Sequence, residues 1–347
     1  MNIVILSLFF LLTSCNVVKL ISNSETNLDK EFFANDSNNL LNDSKFISKW
    51  RTTTPSESVT LPLRSGYNYS FTVDWGDGSS ITSVNSWNAP GATHIYDVAG
   101  DYTISISGTL EAFYFNNSGD KDKLIEVNSF GDMGWINLES AFLGCTNLTS
   151  FSGGVTTTVI NMKNMFYNTP MLSSVDVSTF DTSSVTNMSS MFRGMPLVSN
   201  LNLTHFNTTN VTDMSSMFEG TTSLTSLNIS SFDTSSVTSM SGMFKQVGVS
   251  SIDLSNFNTS SVTSMGNMFR STGFTSLDLS NFDTSSVTVM SNMFLSMGAL
   301  TSLNTTGWDI SAVSSSTGIF TGTSSVVVTC NQGGPPASGT FFGKSCN

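Results

Sequence analysis

Six positions spaced 25 or 26 residues apart, Asp176, Asn202, Asn228, Asp253, Asp278 and Asn304, carry a carboxylate or an amide every time. Each sits between two strand residues, as Asp278 does in Leu277-Asp278-Leu279, so it points away from the face its neighbours bury. Such a row could hold a cation or bond sugar hydroxyls. Stacked one strand spacing apart, about 4.8 Å, Asp253 and Asp278 would repel by roughly 1–3 kcal/mol, and a bound cation or a partner's lysine would relieve this. A plainer reading stands beside it: a solvated polar row in which interspersed Asn limits the repulsion. A second row reads Asp181, Asn207, Asp233, Asn258, Asp283 and Asp309, followed by Thr182, Thr208, Thr234, Thr259, Thr284 and then Ile310. Asp/Asn-Thr at that place suits a turn whose side chain bonds backbone amides.

Other chemistry is thin. The chain has no Ser/His/Asp set, CxxC spacing, phosphate loop or HExxH motif, and only 2 His. Asp74 and Asp77 could hold a cation, but Gly76-Asp77-Gly78 reads better as a tight turn, with His94 in a structural role. The 17 Met read as a soft, gap-filling core rather than a copper site. No metal, cofactor or catalytic residue is expected, and the chain does not read as an enzyme. Net charge is −12, with 13 Lys plus Arg spread thinly, which argues against nucleic acid. Of the 4 Cys, Cys145 reads as a buried thiol within a repeat. Cys330 and Cys346 flank a tail containing Gly333-Gly334-Pro335-Pro336 and are expected to form a disulfide, as an export compartment allows.

The element that positions these rows is written again and again. Phe180, Phe206, Phe232, Phe257, Phe282 and Trp308 head successive copies, and Met-Phe pairs such as Met191-Phe192 and Met293-Phe294 close them. A fixed period in the twenties is the mark of a solenoid, one coil per repeat. One coil cannot stand alone, because about 25 residues cost roughly 1–2 kcal/mol each to order, while some seven buried side chains return roughly 1.5–3 kcal/mol apiece. Before the coils, residues 45–116 alternate apolar and polar, as in Tyr69, Phe71 and Val73, with Gly-Asp punctuation. The expected fold is mainly β: a small β-sandwich-like module (45–116), a solenoid (117–326) and a C-terminal cap or tail (327–347). Residues 16–44, rich in Asn, Ser and Asp, read as a polar tether. Residues 1–15 have an apolar run too short to span a bilayer as a helix and read as a signal peptide.

Three resemblances add to this. Leu12-Thr13-Ser14-Cys15 is similar to the bacterial lipobox, which implies lipidation of Cys15 and a membrane anchor, although residues 2–11 lack Lys and Arg. Val73–Ser79 (VDWGDGS) with Thr93–Gly108 resembles the PKD-type β module. The consensus S-L-x-L-S-x-F-D-T-S-S-V-T-x-M-S-x-M-F resembles the repeat of BspA-like surface proteins, of the DUF285 type. That last resemblance implies a leucine-rich-repeat-like solenoid on a bacterial surface lipoprotein, at the cell surface or outer membrane. It also implies protein or glycan partners and, for some members, adhesion. Two alternatives stay in view. A carbohydrate-active β-solenoid enzyme would need a local break carrying unique acidic or basic residues, and none is visible between Ser174 and Phe320. An ice-binding solenoid would need a flat Thr array.

Overall fold

The alternation in the first part of the chain builds strands whose buried residues come every second position. The structure, a computed structural model, describes residues 44–330 and 340–346. Cys15, the expected signal peptide and nearly all of the expected tether lie outside the described residues. Strand β1 (Lys45–Thr52) buries Phe46, Ser48, Trp50 and Thr52. It pairs antiparallel with β6 (Gly100–Leu110) on one side and β7 (Leu124–Ser129) on the other. Strands β3 (Tyr69–Asp74) and β4 (Thr82–Val84) extend the same sheet beyond β6. A two-stranded ribbon, β2 (Glu57–Thr60) with β5 (Thr93–Tyr96), is the only other pairing in this part among the described residues. Buried Trp75, Tyr96, Val59 and Ile104 belong to the core here.

The sheet does not stop where the module was expected to end. After β7 it continues, now parallel, into β8 (Ser150–Ser152) and β9 (Ser174–Asp176), giving the order β4-β3-β6-β1-β7-β8-β9. Stacking also starts earlier than the recognisable repeat, because Ala112 bridges Asn137 in parallel register. From there one continuous line of parallel bridges runs Asn137, Asn161, Asn187, Asp213, Ser239, Ser264, Val289, Ser315. The molecule is mainly β, and residues from about 112 to 329 are coils stacked rung on rung. A later three-stranded parallel sheet comprises β10 (Ser276–Asp278), β11 (Ser302–Asn304) and β12 (Val327–Thr329). Beyond it lies the hairpin β13 (Thr340–Phe341) and β14 (Lys344–Ser345). The middle coils depart from the expected strand at Leu-Asp-Leu: around 201, 227 and 252 the chain makes single bonds, such as Thr225 N–H to Ser199 O at 3.2 Å, without paired strands.

Hydrogen bonding explains why the line of bridges persists where those strands lapse. In the Met-Ser-x-Met-Phe segment, alternate N–H groups donate to the next coil: Met188 to Asp213 O, Ser190 to Ser215 O, Phe192 to Met217 O and Gly194 to Glu219 O. This geometry needs two left-handed residues per coil, filled by Ser, Asn, Gly or Gln, such as Ser190 (φ 55°) with Gly194 (φ 69°), and Asn292 with Ser296 (both φ 59°). Inside the coils the Met side chains, Met188 to Met293, are fully buried. The Phe of each Met-Phe pair, with Phe142 and Phe320 at the ends, forms a column. Neighbouring rings lie 5.3–6.1 Å apart and within 4–12° of parallel. Offset rings at this spacing add attraction beyond the area they bury.

Candidate functional site

The outward row is where the alternation placed it. Asp176, Asn202, Asn228, Asp253 and Asp278 are exposed and Asn304 is half-buried. Each Oδ1 accepts the backbone N–H two residues on, from Ser178 (2.9 Å), Thr204 (3.4 Å), Ser230 (3.1 Å), Ser255 (3.0 Å), Ser280 (3.0 Å) and Thr306 (3.1 Å). These residues therefore close their own turns as well as facing solvent, a duty the sequence reading gave only to the second row. The hydroxyl and N–H of Ser280, with the Asn304 amide, hold the Asp278 carboxyl below its ordinary range. The Asn304 amide lies 3.0 Å from Asp278 Oδ1, so a neighbouring coil supplies a donor where the sequence suggested a cation or a partner. A shallow cleft of ≈ 300 Å³ lies between two coils, with Asp253 and Asp278 both on its lining.

In the second row, Asp181, Asn207, Asp233, Asn258, Asp283 and Asp309 likewise accept the N–H two residues on, at 2.8–3.1 Å. The Thr that follows has a different task. Thr182, Thr208, Thr234, Thr259 and Thr284 are buried, and each hydroxyl donates to a carbonyl of the next coil at 2.7–2.9 Å. A third row escaped the sequence reading. Asn137, Asn161, Asn187 and Asp213 make the same turn to Glu139, Lys163, Ser189 and Ser215, at 2.8–2.9 Å. It lapses at Ser239, Ser264 and Val289.

In the module, Asp77 Oδ1 accepts the Ser79 N–H at 3.0 Å and its Oδ2 lies 2.6 Å from His94 Nε2. Burial would raise the Asp77 carboxyl, but the bonds from Ser79 and His94 outweigh it and bring it to about 2. The His94 ring stacks on Trp75 at 5.1 Å, and Asp74 caps Gly76 N–H at 3.0 Å. Among the described residues no three His, Cys, Asp or Glu side chains gather where they could hold a metal ion. Cys330 and Cys346 are joined, with Cα atoms 5.4 Å apart. Cys145 is buried, and burial pushes its thiol up.

One expectation is corrected. The repeat does carry a local break between Ser174 and Phe320. The position after Met-Phe reads Tyr167, Arg193, Glu219, Lys245, Arg270, Leu295, and in the middle coils it brings two cations, Arg193 and Lys245, to one carboxylate. Glu219 is buried, 3.1 Å from Arg193 and 2.7 Å from Lys245. Burial alone would raise its carboxyl, yet Lys245, Ser216 and Arg193 hold it below its ordinary range. Arg193 also lies over the Tyr167 ring at 4.7 Å. The signal was present as charges one period apart, but the eye follows the repeated letters and passes over the column that varies.

Comparison with known proteins places the coils. No curated protein and no solved structure matches the chain. The model of a family described as "Mycoplasma protein of unknown function, DUF285" matches residues 136–249 and again 223–332. The two matches run through the stacked coils and together span more than half of the 347 residues, so the chain belongs to the DUF285 family.

Proposed function

We propose that the chain is a lipid-anchored surface protein of the BspA-like, leucine-rich-repeat type, with a PKD-like module ahead of coils that bind a protein or glycan partner in adhesion or another surface contact. The observation that carries this reading is the outward row Asp176, Asn202, Asn228, Asp253, Asp278 and Asn304, which offers a carboxylate or an amide coil after coil. A partner that meets Asp253 meets Asp278 one coil on, so individually weak contacts add through multivalency. Anchoring rests on Leu12-Thr13-Ser14-Cys15, and the Cys330–Cys346 bond suits an oxidising compartment. Binding is preferred to catalysis because a repeated contact serves attachment, and in the coils that differ from the rest Glu219 is tied up by Arg193 and Lys245, which occupies the carboxylate a catalytic centre would need. An ice-binding surface is disfavoured because the exposed Thr186, Thr212, Thr238, Thr263 and Thr288 hydroxyls already donate to the preceding coil at 3.1–3.2 Å.

The test is a glycan and protein array probed with the chain, followed by variants on whichever partner is captured. Asp278→Ala should weaken binding in part, and Asp176, Asp253 and Asp278 changed together to Ala should weaken it far more. Capture unaffected by the triple change would remove the row from the binding surface and turn attention to the loops around Asp77 and Trp87. Mass spectrometry should find a diacylglyceryl group on Cys15, and a Cys15→Ser chain should leave the membrane fraction, since the lipid supplies most of the anchoring energy.

A further inference from the structure

Where the third row lapses, the coils leave a notch. In earlier coils the N–H groups of Ser189 and Ser215 are capped by Asn187 and Asp213, both at 2.9 Å. The corresponding capping residues for Ser241 and Gly266 are Ser239 and Ser264. The Ser264 hydroxyl bonds that of Ser241 instead, at 2.6 Å. The N–H groups of Ser241 and Gly266 therefore have no acceptor among the described residues, although Gly266 is buried. A buried donor left in this state is costly unless something else accepts from it.

The same two coils lack side chains where their neighbours have them. Gly242 stands where other coils have Ser190, Ser216, Asn267 and Asn292, and Gly266 stands where they have Ser189, Ser215, Ser241 and Ser291. The space left is a cavity of ≈ 180 Å³ lined by these glycines, Ser216, Ser241 and Asn267, together with Glu219, Lys245 and Arg270. Lys245 is paired to Glu219 at 2.7 Å. Arg270 has no carboxylate partner among the described residues and makes only a long 3.4 Å contact to Asn267 Oδ1. With Arg193 also on Glu219, three cations face one carboxylate, a local excess of two positive charges on a chain of net charge −12.

We propose that this notch binds a small oxyanion group, a sulfate, phosphate or carboxylate, held by the Arg270 guanidinium, the Lys245 ammonium and the free N–H groups of Ser241 and Gly266. Arginine forks and backbone N–H groups are the donors that suit such oxygens, and a cavity of ≈ 180 Å³ has room for a group of this size. None of the notch residues belongs to the outward Asp/Asn row, so the site stands whether or not that row binds a partner.

The test is calorimetric titration of the full chain at fixed ionic strength with sodium sulfate, sodium phosphate and a sulfated oligosaccharide, with amide NMR shifts followed for Ser241 and Gly266. Saturable binding with shifts centred on those amides is expected. Arg270→Gln should weaken it about tenfold, the loss of one charge-assisted bond. Gly266→Ser fills the notch with the residue other coils carry. Its Cβ would meet Val289 at 3.3 Å and the Ser291 carbonyl at 3.5 Å, so the fold is retained, as circular dichroism will confirm, while binding falls by a similar factor. Tighter binding of the oligosaccharide than of free sulfate would assign the group to a sugar polymer, and equal binding would assign it to the free ion; both support the notch. Absence of saturable binding for all three anions, or binding that neither variant alters, overturns it.

Discussion

Each outward Asp in the coils serves its own backbone before it can serve a partner. Asp176, Asp181, Asp233, Asp253, Asp278, Asp283 and Asp309 all sit below their ordinary value of 3.8, held there by the Ser two residues on. A carboxyl depressed by folding contributes stability above its unfolded value and loses it as pH falls through the folded one. The coils should therefore keep their full stability above about pH 4 and lose it progressively below, as thermal melts followed by circular dichroism will show. Replacing the second-row Asp by Asn, as the chain itself does at Asn207 and Asn258, keeps the acceptor and should flatten that acid limb. A melting temperature equally steep in acid for the Asn variant would refute the assignment. These turns were legible in the second row because Asp/Asn-Thr is a recognised turn pair. The burial of the Thr was not, because nothing in Asp-Thr-Ser-Ser separates a hydroxyl facing water from one bonded to the next coil. The Arg193–Glu219–Lys245 cluster was missed for a related reason: its members lie on three successive coils, 26 residues apart in sequence, and are adjacent only once stacked.

The coil owes its shape to the two left-handed residues that bracket Met-Phe. Asn292 (φ 59°) and Ser296 (φ 59°) recur as Ser216 with Gly220 and Gly318 with Gly322. A β-branched side chain is strained there, at about 1–3 kcal/mol, whereas Gly is at ease. Asn292→Val should lower stability by about that amount in urea unfolding, while Asn292→Gly should leave it unchanged or slightly raised. Equal losses for the two variants would show that the Asn side chain, not the backbone, matters. The heptapeptide Val-Thr-x-Met-Ser-x-Met could have disclosed this, since its second variable position holds only Ser, Asn or Gly. Apolar spacing captured the buried Met and Phe but is blind to the sign of φ. Loop length left a second trace. The 25-residue coils lose one residue before the strand, and Gly248 takes up the shortening: its N–H donates to Thr221 O at 3.0 Å, and a Cβ there would lie 2.2 Å from Thr222 O. Strand β1 went unread because its buried face is Phe-Ser-Trp-Thr, half of it polar, with the Trp50 indole N–H donating to the Ser48 hydroxyl at 2.8 Å.

At the scale of the molecule, the two ends of the stack are closed differently. The first coil rests on the module through one shared sheet, with Phe113 packed 5.8 Å from Phe142 at the head of the Phe column. At the far end Cys346 bridges Val328 in parallel register, and Lys344 lies over Phe320, the last ring, at 6.0 Å. The disulfide ties that rung down across 16 residues of sequence. Breaking it should cost about 3 kcal/mol in the loop-entropy model. Because each coil contacts only its neighbours, the loss should be confined to the last coils: hydrogen exchange under reducing conditions should speed up at Val328 and Leu303 and stay unchanged at Val185. Uniform loss of protection along the stack would contradict this. The stack itself was legible from its period, but its first rung was not, since Glu111-Ala112-Phe113 lacks the Val-Thr-x-Met-Ser-x-Met pattern of the repeat and joins the stack through the Ala112–Asn137 bridge. The unbroken line of bridges from Asn137 to Ser315 also has a genetic meaning. Each rung offers its neighbours the same backbone bridge, so duplicating or deleting one unit away from the Arg193–Glu219–Lys245 coils changes the length by a single strand spacing, about 4.8 Å, and leaves the ladder intact. A change in the number of units can thus set how far the molecule reaches while keeping the ladder that carries it.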